Sequence, residues 1–271
     1  MSRQNFIIFS ISSLLLVCYL MIWFYADYVK SNLGDPSVVT GYSLFVVILS
    51  LFAFNLRKRL SFIPLLAAKY WTIFHIAAGT TGLLIYWLHT GSIWPQGAYE
   101  QILGLLFYMV SFSGIVGVLF QRLFPKRLNE TGSEIIYERI PDIIAEIREK
   151  NEALILRCTS ETGKGTLARH YIETLDWFFL QPRYFFNHLW GGRKGTSWIE
   201  HHFTLVRRYL SQSETDYLDE LKSHAMEKNQ IDFHYAAQSI LKYWLFVHIP
   251  LSLAMFTFVL WHLLLVNIYA I

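Results

Sequence analysis

Lys69-Tyr70-Trp71-Thr72-Ile73-Phe74-His75 and Lys242-Tyr243-Trp244-Leu245-Phe246-Val247-His248 are two copies of one pattern, Lys-Tyr-Trp-x-x-x-His, and each opens an apolar run. Each run carries a second histidine at the same interval, His89 (89 − 75 = 14) and His262 (262 − 248 = 14). At about 100° per residue, fourteen steps return to within roughly 40° of the same helix face, and at ~1.5 Å per residue they cover about 21 Å along the axis. Two such helices side by side would offer two facing pairs of imidazoles, one near each end.

The rest of the chain gives those helices a setting. It has 271 residues, 54% of them hydrophobic, and a positive mean hydropathy, which places it in the membrane class. Charge is sparse and uneven. Between Pro125 and Ile240 lie 15 Lys/Arg and 17 Asp/Glu, leaving 23 − 15 = 8 and 20 − 17 = 3 for everything else. The apolar part therefore carries 8 − 3 = +5 and the polar segment 15 − 17 = −2, an asymmetry that orients a membrane protein; no patch suited to nucleic acid is present. Cys18 and Cys158 stand alone, with no C-x-x-C or C-x-x-C-H, so neither iron–sulphur ligation nor covalent haem nor a disulfide framework is expected.

Five runs are long enough to cross ~30 Å of hydrocarbon. The first, Phe6 to Tyr25, follows Arg3; it is long for a signal peptide and lacks a small-residue cleavage site, so it reads as an anchor. A polar loop over Ala26–Thr40 leads to the second, Gly41 to Phe54 with its flanks, which ends at Arg57-Lys58-Arg59. The third runs from Lys69 to about His89 and is followed by a loop over Gly91–Gln101. The fourth runs from Ile102 to Phe120, the fifth from about Leu241 to Val266. Basic residues collect at one set of ends: Arg3, Arg57, Lys58, Arg59, Lys69, Arg122, Lys126, Arg127 and Lys242. The opposite loops hold only Lys30. The positive-inside rule puts the basic ends in the cytoplasm, so the N-terminus is inside and the C-terminus outside an inner, cytoplasmic membrane. The third and fifth spans then run in the same direction. His75 is level with His248 at the inner face, and His89 with His262 at the outer.

The polar segment reads as a mostly helical cytoplasmic domain inserted between the fourth and fifth spans. The expected architecture is all-α: residues 1–123 carry four membrane helices, 124–240 the cytoplasmic domain, and 241–271 a fifth helix that completes the bundle. Within the insert, Ile135, Ile136, Ile140, Ile143, Ile144 and Ile147 fall at helical spacing interrupted by Pro141. Leu154-Ile155-Leu156 suggests a short strand. Leu167–Phe179 is amphipathic and stops at Gln181-Pro182, and Gly191–Gly195 is a loop. Ser213-Glu214-Thr215-Asp216 resembles a capping box that opens a helix through about Lys228.

Histidine in a bilayer is costly and usually functional. Four of them, in two level pairs behind a repeated flank, suit axial ligation of two b-type haems: His75 and His248 at an inner iron, His89 and His262 at an outer one. Gly79 and Gly82 lie between the two histidines of the third span, where small residues would give a flat macrocycle room or simply let helices pack. Lys69 and Lys242 could meet haem propionates or snorkel to the interface beside their Tyr-Trp neighbours. His201-His202 has no ligand at metal-site spacing and reads as surface histidine. Gly163-Lys164-Gly165-Thr166 lacks the first glycine of a phosphate loop, and no G-x-G-x-x-G is present, so no nucleotide or flavin site is expected on this chain.

The layout His-x13-His on one helix and His-x13-His two helices later resembles the di-haem core of membrane cytochromes b: the respiratory cytochrome b, and the ferric reductase and NADPH oxidase transmembrane domain. The resemblance covers the membrane half of the chain and rests on four residues; it implies axial-ligand roles for His75, His89, His248 and His262. The Pro-Glu-Trp-Tyr motif of a respiratory quinol site is missing, as is a flavin and nicotinamide domain after the last span, and an insert of over a hundred residues between the fourth and fifth spans is typical of neither family. The expected function is electron transfer across the membrane through two haems, as the membrane subunit of an oxidoreductase complex linked to quinone. Other redox subunits, whether flavin, iron–sulphur or multihaem cytochrome, would be its partners. A quinone-independent conduit to an extracytoplasmic cytochrome or metal acceptor is the alternative. A non-redox, proton-coupled transporter or receptor is more remote, since Asp and Glu are absent from the third, fourth and fifth spans.

Overall fold

The computed structural model describes residues 3–59, 67–129, 132 and 134–269; the side chains of residues 3–5 and 55–59, and with them Arg3 and the Arg57-Lys58-Arg59 cluster of the orientation argument, lie outside the described ones. The described residues form helices and contain no strand. Five helices are long and apolar enough to cross a membrane: α1 (Arg3–Ser31), α2 (Ser37–Arg59), α3 (Ala68–Thr90), α4 (Ala98–Asn129) and the apolar half of a 58-residue helix (Gln212–Tyr269). All five extend past the apolar runs read from sequence, so the loops between them shrink to 32–36 and 91–97. Once nucleated, a helix propagates cheaply through flanking residues that do not forbid it.

The chain divides into two compact units, Met1–Val118 with Phe246–Ile271, and Leu119–Leu245. The first holds a small core in which Leu44 and Ile48 of α2 meet Ile85 and Tyr86 of α3, Phe107 of α4 and Met255 of the long helix. Much of its apolar surface faces outward: Phe9, Met21, Val46 and Phe112 are each more than 60% exposed. In water such a surface would be untenable, whereas helices apolar all round are the form a bilayer accepts.

The second unit buries its own core. Pro141 does not interrupt a helix here; it occupies the first turn of α5 (Ile140–Thr162), where its missing N–H costs nothing. Ile135 and Ile136 precede that helix, next to a 3₁₀ turn at Tyr137–Arg139. The strand expected at Leu154-Ile155-Leu156 is instead the middle of α5, with Leu154 and Ile155 buried and Leu156 outward, a spacing that a helix satisfies. Next come α6 (Thr166–His170), a π-helical turn (Tyr171–Leu175), α7 (Asp176–Phe179), α8 (Phe185–Leu189) and α9 (Lys194–Arg207). Lys194 and Gly195 belong to α9, so the glycine loop is shorter than expected. The long helix, α10 (Gln212–Tyr269), starts two residues earlier than the expected box: Ser211 donates both its N–H and its hydroxyl to Glu214, at 3.1 and 2.8 Å. Glu214 also accepts the Leu167 N–H at 3.3 Å, which ties the starts of α10 and α6 together. No residue at 228 stops α10. Lys228 and Asp232 form an i,i+4 pair at 2.7 Å with both side chains fully buried, so the helix passes through the unit's core.

Candidate cofactor site among the membrane-length helices

All four paired histidines lie in the first unit. α3 carries His75 and His89, and the C-terminal half of α10 carries His248 and His262. The structure brings His89 and His262 face to edge, with ring centroids 6.5 Å apart and planes at 80°. His75 and His248 lie fourteen residues earlier on the same two helices. The partners that fix α10 here are polar hooks in an apolar setting: Tyr42 of α2 donates to Asn267 at 2.8 Å, and Tyr99 of α4 donates to the Phe258 carbonyl at 2.7 Å. Tyr99 then stacks on His262, with centroids 6.0 Å apart and planes 17° apart.

The surroundings of His89 define its tautomer. Its Nδ1 lies 3.0 Å from the Ser37 carbonyl, an acceptor only, so Nδ1 carries the proton and Nε2 keeps its lone pair. The Thr40 hydroxyl sits 3.2 Å from the same nitrogen while donating to the Pro36 carbonyl at 2.9 Å. This is the outer-shell arrangement that orients metal-ligating histidines. Gly41 stands against the ring, where an added Cβ would be 2.9 Å from His89 Cε1. At the other level, His248 Nδ1 meets the Ser113 hydroxyl of α4 at 3.1 Å. A Cβ on Gly114 would touch His248 Cε1 at 3.9 Å. The His75 ring leans on Phe54 at 5.2 Å, and its buried Nδ1 has the α2 backbone at Leu51 beside it but no well-formed hydrogen bond.

A cavity of about 640 Å³ opens at the His89–His262 pair, walled by α2, α3, α4 and α10 and lined by His89, His262, Gly41, Phe45, Phe107 and Glu100 among others. Its size is that of sites taking whole organic cofactors. Among the described residues no three His, Cys, Asp or Glu side chains gather into a metal cage. Two imidazoles joined through one metal by bonds of about 2 Å would place their ring centres roughly 6–6.5 Å apart, a range that includes the separation of His89 and His262.

The other candidate residues separate. Gly82 is buried against α2, where a Cβ would be 3.3 Å from Val47, so it serves helix contact; a Cβ on Gly79 would meet nothing within 4 Å. Lys69 is exposed, its ammonium 5.0 Å from the Tyr70 ring. Lys242, in the second unit, is engaged: it pairs with Glu138 and sits 3.8 Å over the Tyr137 ring. Sequence reasoning missed Ser37, Thr40, Gly41, Tyr99 and Ser113. The one available signal was the recurrence of small and hydroxyl residues, Ser37, Thr40, Gly41 and Ser43, at the start of a membrane-length helix. No family model, curated protein or solved structure matches the chain.

Proposed function

We propose that the chain is a multi-pass membrane subunit for electron transfer that binds two b-type haems, His75 with His248 and His89 with His262. The observation that carries this reading is the His89–His262 pair, facing at 6.5 Å with the proton of His89 held on Nδ1 by the Ser37 carbonyl. Bound at these two levels, the haems would supply reversible one-electron exchange at opposite depths of the bilayer. The chain's own residues hold and orient. Ser37 and Thr40 fix the His89 ring, Ser113 that of His248, and Tyr99 stacks on His262. The open space at Gly79 admits a flat group against α3. Lys69 is the freer of the two lysines to meet a propionate.

The charge asymmetry supports an orientation with the N-terminus and residues 124–240 in the cytoplasm and the C-terminus outside. Lacking a flavin or iron–sulphur motif, the chain would exchange electrons with the quinone pool and with further redox subunits of a complex.

The deciding experiment is a dithionite-reduced minus oxidised spectrum of the purified full chain, with haem counted per polypeptide. Two b-type haems, reduced to one in His89→Ala, support the reading. Well-folded protein purified from haem-replete cells without a haem band overturns it. Inhibition by a quinone analogue then separates the quinone-linked role from a direct conduit.

A further inference from the structure

The tip of the second unit around Trp190 is built to show aromatic side chains outward. Trp190 is 87% exposed and Phe186 74%, yet the backbone that bears them is tightly held. α8 is anchored from inside by Phe185, which contacts Tyr235 at 6.3 Å, and by buried His188. After Trp190 the chain reverses at Gly191, in the left-handed region at φ 72°. It is closed by the Gly192 N–H on the Asn187 carbonyl at 2.8 Å and the Lys194 N–H on Asn187 Oδ1 at 2.9 Å. Arg127, near the end of α4, grips the same turn from the other side by donating to the His188 and Leu189 carbonyls at 3.1 and 3.0 Å. A rigid turn that presents a tryptophan to solvent forgoes a large burial gain, and such patches ordinarily mark a contact.

Charge and position indicate what covers it. From Trp177 to Ile199 the chain carries Arg183, Arg193 and Lys194 and no Asp or Glu; along 119–129 it carries Arg122, Lys126 and Arg127 and again no acid. Arg193, Lys194 and Lys126 are exposed. In the sequence Arg127 follows the end of the fourth apolar run at Phe120 by 127 − 120 = 7 residues, about 10 Å if helical, on the run's basic side. A residue that close to the end of a spanning run is at headgroup depth, and the turn it grips lies in its own unit. Aromatic residues flanked by cations at that depth are the signature of an interfacial anchor.

We propose that the turn bearing Phe186 and Trp190 seats in the anionic headgroup layer of the inner leaflet, with Arg193 and Lys194 contacting lipid phosphates. The proposal rests on the membrane topology of the reading above, not on its haems. The test uses the full chain in vesicles, with bimane attached at Trp190→Cys in a Cys18→Ser background and, as control, at Leu156→Cys, 72% exposed on α5. Cys158 is buried and stays unlabelled. In phosphatidylcholine–phosphatidylglycerol vesicles containing a headgroup-nitroxide lipid, quenching at 190 is expected to exceed that at 156 by about twofold or more. It should fall in Arg193→Gln/Lys194→Gln and in pure phosphatidylcholine. Equal quenching at the two sites overturns the proposal, as does shielding from aqueous iodide without lipid quenching, which would mean that a protein covers the turn. Lipid quenching indifferent to both the charge removal and the lipid composition overturns the phosphate contact. Haem is counted on the same samples: lipid quenching in haem-free protein would sink the electron-transfer reading alone, and its loss in haem-replete protein the seat alone.

Discussion

Asp232→Ala is expected to be the most damaging single substitution in the second unit. Lys228 and Asp232 are both 0% exposed and 2.7 Å apart, and the Lys228 ammonium has two further contacts, the Gln181 carbonyl at 2.8 Å and the Phe178 ring at 4.3 Å. Burial raises the Asp232 carboxyl and lowers the Lys228 ammonium from their ordinary values, and each is partly restored by the other's charge. Removing Asp232 leaves a buried cation with one hydrogen-bond acceptor for three donors. Breaking a buried pair in this way costs about 3–5 kcal/mol. The protein's escape is to deprotonate Lys228. At ~1.4 kcal/mol per pH unit, taking an amine from its usual ~10.4 to neutrality at pH 7 costs about 4–5 kcal/mol, so neither route is cheap. For a unit of this size the loss corresponds to roughly 10–20 °C in melting temperature. The assay is thermal unfolding of the full chain in nanodiscs, read by hydrogen exchange of peptides covering 170–232. Lys228→Met/Asp232→Leu, which removes both charges and keeps the volume, should recover to within about 1–2 kcal/mol of wild type. A single variant melting with the wild type, or a double variant as weak as the single, would refute the argument.

His188 supplies a pH dependence with a definite sign. Burial first, then the charges of Lys228 and Arg127, push its imidazole down to about 4. The unfolded chain, with an ordinary value near 6.5, binds more protons in between, so stability present above that value is lost as pH falls toward 4, by about 3 kcal/mol. Denaturant midpoints at pH 7 and pH 4.5 should show this loss, and His188→Gln should reduce it. Gly41→Ala places a methyl 2.9 Å from the His89 ring and should lower haem content more than Gly79→Ala, whose methyl meets no protein atom. In haem-free protein Gly79→Ala should instead stabilise α3 by up to about 1 kcal/mol, since alanine is the better helix former. Ser211→Ala removes the hydroxyl and keeps the N–H at the start of α10; a loss of about 1 kcal/mol in unfolding free energy is expected.

The sequence made the membrane-length helices and the histidine spacing legible because both are one-dimensional: apolar length and a repeat survive without knowledge of neighbours. The residues around His89 were not legible. Ser37 and Thr40 reach it across 52 and 49 positions of chain, and nothing in their local pattern separates them from ordinary helix-start hydroxyls. Lys228 and Asp232 show the opposite difficulty. An i,i+4 pair of opposite charge is the commonest surface motif on a helix, and only the tertiary fold shows this one at the centre of a core. The capping box was right in kind and two residues late, because Ser213 and Ser211 offer the same chemistry and only hydrogen-bond geometry distinguishes them. Leu154-Ile155-Leu156 read as a strand because three apolar residues in a row carry no period; the flanking charged residues of α5 decide for helix.

The placement of the histidines on α3 and α10 also sets a schedule for biosynthesis. His248 and His262 leave the ribosome 173 residues after His75 and His89 (248 − 75 and 262 − 89). At about 5–20 residues per second that is an interval of roughly 10–35 s. Throughout it α3 exists with half of each pair, while all of residues 119–245 emerges before the completing helix segment does. Any group held between the pairs must therefore arrive late, after the last segment has inserted, or wait on α3 alone. Pulse-chase loading of a truncated chain ending before Phe246 would distinguish an open half-site that already captures its ligand from one that must be closed to do so.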